Sequence, residues 1–191
     1  MRFIVPRPAP LLLVLAIAAC GGKRAAGRTP RDVTPLRTLP ADSVYVLEAG
    51  GTPPADTVVR FAPGQRRAIV LRHGVPDQAA FAIVEFGDSA FTGDDSVQVT
   101  LHPRPGVYGL DIASDRPFRD GVITFKYARH FAAPVAARAR YGNDEGFERQ
   151  LAVGRLPGDG SIRLLPTRRP ASDNVSAELD GPGSYVVAGA K

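Results

Sequence analysis

The feature that most constrains this chain is its punctuation. Short runs rich in Val, Ile, Phe and Tyr follow one another, separated by Gly, Pro, Asp and Asn. The 18 prolines and 20 glycines oppose long helices, because proline removes a helix N–H and glycine loses the most backbone entropy on ordering. The same residues favour tight turns. Runs at 43–48, 57–61, 68–72, 80–86, 96–102, 107–112, 121–127, 149–155, 161–165, 175–179 and 185–188 therefore read as strands. In two of them the alternation is plain. Val97, Val99 and Leu101 point one way while Gln98, Thr100 and His102 point the other; Val175, Ala177 and Leu179 stand likewise against Ser176, Glu178 and Asp180. That is the pattern of half-buried antiparallel strands. GDGS at 158–161 sits between two runs as a hairpin signal. Only PVAARAR at 134–140 offers a helical turn, with proline at its opening. The expected fold is all-β, an antiparallel β-sandwich with little helix.

Charge divides the chain. There are 24 Lys and Arg against 19 Asp and Glu, a formal charge of +5. From Ala41 onward, however, 17 basic residues face 18 acidic ones, a net of −1. The surplus lies upstream, where Lys23, Arg24, Arg28, Arg31 and Arg37 outnumber Asp32. The strand-bearing part thus gives no reason to expect a nucleic-acid partner. The stretch GGKRAAGRTPRDVTPLRTLP, 21–40, lacks apolar periodicity and reads as a flexible basic tether. Beside a membrane each of its cations is worth about 1 kcal/mol against anionic headgroups; away from one it is a solvated spacer.

The first 19 residues have the layout of an export signal. Arg2 and Arg7 precede the apolar run LLLVLAIAA at 11–19, and no acid occurs before Asp32. At 1.5 Å per residue that run reaches about 14 Å, too short to span a bilayer. It ends in Ile17, Ala18, Ala19 and Cys20, the only cysteine. These four residues resemble the lipobox of bacterial lipoproteins. The resemblance implies cleavage between Ala19 and Cys20, with diacylglycerol attached to the Cys20 thiol. It also implies a protein held in a bacterial cell envelope through its N-terminal lipid. Gly21, rather than aspartate, follows the cysteine, which resembles lipoproteins sent to the outer membrane where two membranes exist. With Cys20 acylated, no thiol remains for a disulfide. The expected organisation is a signal peptide at 1–19, lipidated Cys20 and tether at 20–40, and one domain at 41–191. A division at HPRPG, 102–106, would leave two halves with thin cores.

Reactive constellations are scarce. His73, His102 and His130 lie far apart in sequence, without the close spacing of a zinc motif, and a sandwich offers no reason for them to meet. Gly183-Ser184-Tyr185 lacks the full G-x-S-x-G elbow. Asp94-Asp95 and Asp144-Glu145 are paired carboxylates that leave glycoside chemistry open as an alternative. Asn143, Asp144, Glu145 and Glu148 crowd one segment with hard oxygens suited to calcium, with an ordinary polar turn as the competing reading; Asp88, Asp94 and Asp95 form a second acidic group. Catalytic residues, resident metal and cofactors beyond the covalent lipid are not expected. Tyr108, Phe118, Phe125, Tyr127, Phe131, Tyr141 and Phe147 make the middle of the domain aromatic. Any of them exposed together would form a patch for protein or sugar.

The C-terminal order PFRDGVITFKY, FERQLAVGRL, SIRLLP and DNVSAELDGPGSYVVAG resembles the end of ZU5-like β-sandwich domains. Tyr127 stands for that family's first tyrosine and Ser184-Tyr185 for its closing pair, over residues 117–188. The resemblance implies an interaction module. The expected function is therefore a lipid-anchored, non-catalytic module for an envelope protein or glycan. The alternatives are a carbohydrate-active hydrolase using loop carboxylates, and a structural accessory of an envelope assembly.

Overall fold

A computed structural model describes residues 36–191. The signal peptide, Ala19, Cys20 and most of the tether lie outside the described residues. Among the described residues thirteen strands run in chain order as β1 (Arg37–Pro40), β2 (Val44–Val46), β3 (Thr57–Phe61), β4 (Arg67–Arg72), β5 (Ala80–Phe86), β6 (Val97–Pro103) and β7 (Gly109–Ser114). They continue as β8 (Gly121–Lys126), β9 (Ala152–Leu156), β10 (Ser161–Leu164), β11 (Thr167–Arg168), β12 (Asn174–Leu179) and β13 (Gly183–Ala190). Two short helices, α1 (Val135–Tyr141) and α2 (Asp144–Glu148), separate β8 from β9.

The strands make two antiparallel sheets. One has the order β1-β10-β9-β13-β7-β6-β3, with β2 also on β13; the other is β11-β12-β8-β5-β4. Their inner faces share one core, and alternation explains which side chains reach it. Val97, Val99 and Leu101 are fully buried, as are Phe81, Ile123, Phe125 and Val175. Phe81 stacks on Tyr108 at 5.2 Å, tying the two layers together. The all-β sandwich expected from the alternation is the observed fold.

A second, smaller core lies on the other face of the larger sheet. Val44, Ala152, Ile162, Leu164, Val186 and Ala188 are buried together there, with Leu39, Val46 and Leu156 packed on them. The strands that carry them are β1, β10, β9, β13 and β2, neighbours in that order. A short turn at Ala41–Ser43 joins β1 back to β2, so the sheet curls round this cluster like a half-closed barrel. Gly154 sits at its centre. A Cβ there would lie 2.6 Å from Ile162 Cγ2 and 3.3 Å from Leu164 Cδ2, so only glycine lets those side chains close over the strand.

Three local differences from the sequence reading have physical causes. The end of the expected tether is strand: Thr38 and Leu39 pair with Arg163 and Ile162, so the folded body begins at Arg37 and not Ala41. Residues 149–151 follow α2 as a turn instead of starting a strand; Asn143 opens that helix by accepting the Gly146 N–H at 2.7 Å. Val107 makes only an isolated bridge to Glu48, and β7 begins at Gly109. The helical turn at 134–140 is α1, which ends at Gly142 in the left-handed region, φ +85°, where glycine carries no steric cost.

Candidate functional site

Two polar constellations stand out, one at an end of the smaller sheet and one at the curled edge of the larger. The first arises from strand order. β4 and β8 are both antiparallel to β5, so they run in the same direction and finish at the same end. His73 follows β4 and His130 follows β8, and their ring centroids come within 4.7 Å. The expectation that the histidines stay apart is thus corrected for this pair. Their approach was hidden because it depends on which strand lies between two others. His102 does not join them; it pairs with Asp56 at 3.0 Å on an exposed stretch.

Asp77, in the β4–β5 connection, completes the cluster. His130 Nε2 lies 2.5 Å from its Oδ2, and Arg129 Nε lies 2.7 Å from its Oδ1. Burial opposes ionisation of Asp77, but the His130 hydrogen bond and the charges of Arg129, His130 and His73 outweigh it and hold its carboxyl below the ordinary range. His73 is 3% exposed. Its Nδ1 lies 3.1 Å from the Thr52 carbonyl, which can only accept, so Nδ1 carries the proton. Neither ring hydrogen-bonds a serine, threonine or cysteine side chain among the described residues. Through Thr52, Asp77 and the Arg129–His130 pair, the cluster ties three loops together.

The second constellation is a register row. Thr38, Arg163, Arg155 and Tyr185 stand side by side across β1, β10, β9 and β13. Tyr185 is fully buried, whereas the two arginine side chains are 27% and 35% exposed. Asp180, at the end of β12, reaches across from the other sheet. Its Oδ1 accepts from Arg155 Nη1 at 2.7 Å, and its Oδ2 pairs with Arg163 Nη2. Arg155 also donates to the Pro182 carbonyl at 2.8 Å and lies over the Tyr185 ring. Arg163 Nε is buried and meets no acceptor among the described residues. An open cavity of about 700 Å³ lies against this row, lined also by Leu156, Pro157 and Ser184. Two hollows of about 280 Å³ each flank Val122 on the smaller sheet.

The residues singled out from the sequence are distributed differently. Of the calcium candidates, Asn143 caps α2, Asp144 lies 3.7 Å from Arg138, and Glu148 accepts from the Tyr127 hydroxyl at 2.9 Å. Among the described residues, no group of three or more His, Cys, Asp or Glu side chains is placed to hold a metal ion. Asp95 pairs with Arg116 at 3.0 Å. The seven aromatics do not form a patch: Tyr108, Phe118, Phe125, Tyr127 and Phe147 are buried, and Phe131 and Tyr141 half-buried. No helix among the described residues is long and apolar enough to cross a membrane. No family model, curated protein or solved structure matches this chain.

Proposed function

We propose that the protein is a lipid-anchored component of a bacterial cell envelope whose folded body is a non-catalytic interaction module. The observation that carries the module reading is the cavity beside β1. It is open, with a mixed polar and apolar lining, and its volume is in the range of small-molecule sites, about 300–1,000 Å³. The anchoring half rests on Arg2, Arg7, the apolar run at 11–19 and the residues Ile17, Ala18, Ala19 and Cys20. With Cys20 acylated, residues 21–36 would hold the body at most about 55 Å from the bilayer. The likeness of residues 117–188 to ZU5-like domains favours binding as well. The hydrolase alternative gains less support, because Asp95 pairs with Arg116 and Asp144 lies 3.7 Å from Arg138.

The test has two arms. Cys20→Ser is expected to move the protein from the membrane to the soluble fraction; retention without detergent would overturn the anchor. Crosslinking of the full chain in native envelopes is expected to enrich one protein or glycan specifically. Turnover of envelope polymers by the purified chain, with no enriched partner, would overturn the module reading.

A further inference from the structure

We propose that His73 and His130 form a pH-sensitive latch, which holds residues 50–55 against the end of the smaller sheet at neutral pH and releases them in acid. The inference goes beyond the module reading and does not depend on it. His73 is 3% exposed, and its Nδ1 donates to the Thr52 carbonyl at 3.1 Å. That leaves Nε2 unprotonated, and Nε2 is buried with no hydrogen-bond partner among the described residues. A proton added there would make a charged N–H without an acceptor, which is costly to bury. The neighbours offer no relief. From ring to ring, Phe81 lies at 5.3 Å, Tyr108 at 6.2 Å and His130 at 4.7 Å, and the Tyr108 hydroxyl donates to the Tyr127 carbonyl instead.

The charges facing the pair sharpen the effect. Asp77 is the one carboxylate paired with either ring among the described residues, and Arg129 already neutralises it. Arg72, beside His73, donates to the Gln78 carbonyl at 3.2 Å and adds a further cation to the β4–β5 connection. Tyr108 keeps its proton at neutral and acid pH and brings no negative charge. Asp56, just beyond the held segment, pairs with His102 at 3.0 Å. A single carboxylate cannot offset Arg129 and two charged rings 4.7 Å apart. The segment that responds is fixed by its contacts. The Thr52 carbonyl also accepts the Gly74 N–H at 3.1 Å. Apart from Thr57 Oγ1 on the Ala55 carbonyl at 3.3 Å, these are the hydrogen bonds made to residues 50–55 among the described residues. At Gly51 a Cβ would lie 3.0 Å from His130 Nε2, so the backbone rests directly on that imidazole. Opening exposes both rings to water, where the open form binds more protons than the closed one. Closure is therefore favoured above the ordinary histidine value, near 6.5, and weakens as pH falls below it. Asp77 stays ionised to lower pH, so its bonds to Arg129 and His130 persist and the release is confined to residues 50–55.

The Gly74 amide reports the latch, because its acceptor is the Thr52 carbonyl. Hydrogen exchange of the full chain in mild detergent, read by NMR and corrected for the intrinsic effect of pH, would compare about pH 7.5 with about pH 5.5. Protection of Gly74 is expected to fall about tenfold, the change produced when the open form alone binds one proton at the ordinary histidine value. The core amides of β5 are expected to keep theirs. His73→Asn retains a donor for the Thr52 carbonyl and cannot charge, so Gly74 is expected to be equally protected at both pH values. Should that variant fail to melt cooperatively, His130→Gln replaces it, keeps a donor for Asp77 and is expected to shrink the fall severalfold. Unchanged Gly74 protection in the wild type, the same fall in the substituted chain, or an equal fall in the β5 amides would overturn the latch. Each of these outcomes leaves the module reading in place, since no binding partner enters the test.

Discussion

Tyr185 donates its hydroxyl to the carbonyl of Gly181, four residues upstream, at 2.6 Å. The bond spans the corner where the chain leaves β12 in the smaller sheet and enters β13 in the larger. Tyrosine corners of this kind brace the crossovers of Greek-key sandwiches. Here the hydroxyl also lies 3.0 Å from Asp180 Oδ1, so the corner and the arginine row share a carboxylate. Tyr185→Phe keeps the buried ring and removes only the bond. It is expected to lower unfolding free energy by about 1–2 kcal/mol, the cost of leaving a carbonyl unpaired, with the far-UV spectrum unchanged. Urea denaturation of both proteins measures this; equal midpoints would mean that the corner does not brace the crossover.

Gly154 supports a sharper expectation. Any side chain there points into the second core, 2.6 Å from Ile162 Cγ2. The neighbours are backed by Leu164 and Val186, so they can yield little. Gly154→Ala is expected to cost about 1–3 kcal/mol, as overpacking does in a filled core, and Gly154→Val more. Urea titration would again decide. A neutral alanine variant would show that β1 and β2 close less tightly over this cluster.

Much of this architecture was legible in single residues. Val97, Val99 and Leu101 declare their face by alternation, and all three are buried as it requires. β3 and β5 have the bounds their apolar runs suggest, 57–61 and 80–86. β1 was not legible, because RTLP has no periodicity of its own and becomes a strand through the open edge of β10. Nor was α2, since four polar residues crowded together look alike whether they bind an ion or open a helix. The sites were hidden for a topological reason. His73 meets His130 across β5, and Asp180 meets Arg163 across two sheets. Neither meeting has a signature in spacing.

The Asp77 junction sets the acid behaviour. Its carboxyl is held below the ordinary range when folded, so folding favours the ionised form. That contribution is fully present above the ordinary aspartate value, near 3.9, and is lost as pH falls through the lower folded value. Asp77→Asn removes the ionisable group but not the shape. The variant is expected to be less stable than wild type at neutral pH, with the gap narrowing below about pH 4. Melting temperatures from pH 7 down to pH 3 test this; a constant gap across the range would assign the loss to geometry alone.

The alkaline limb belongs to the buried tyrosines. Burial pushes the Tyr108 hydroxyl up to about 12, assisted by the negative charge of Asp77. Tyr127 is raised too, by burial first and then by its hydrogen bond to Glu148, against an opposing effect of Arg169. Below pH 10 folded and unfolded chains both hold these protons, and stability is flat. Above it the unfolded phenols ionise while the folded ones do not, so stability falls until the folded value is reached. For Tyr108 the full window, pH 10 to about 12, corresponds to roughly 2–3 kcal/mol. Tyr108→Phe sacrifices its 3.3 Å bond to the Tyr127 carbonyl and is expected to lose about 1 kcal/mol at neutral pH. It is also expected to decline less steeply above pH 10, so the two curves converge. Parallel curves would mean that Tyr108 ionises freely in the folded protein, and that its place between the sheets is wetter than its packing against Phe81 implies.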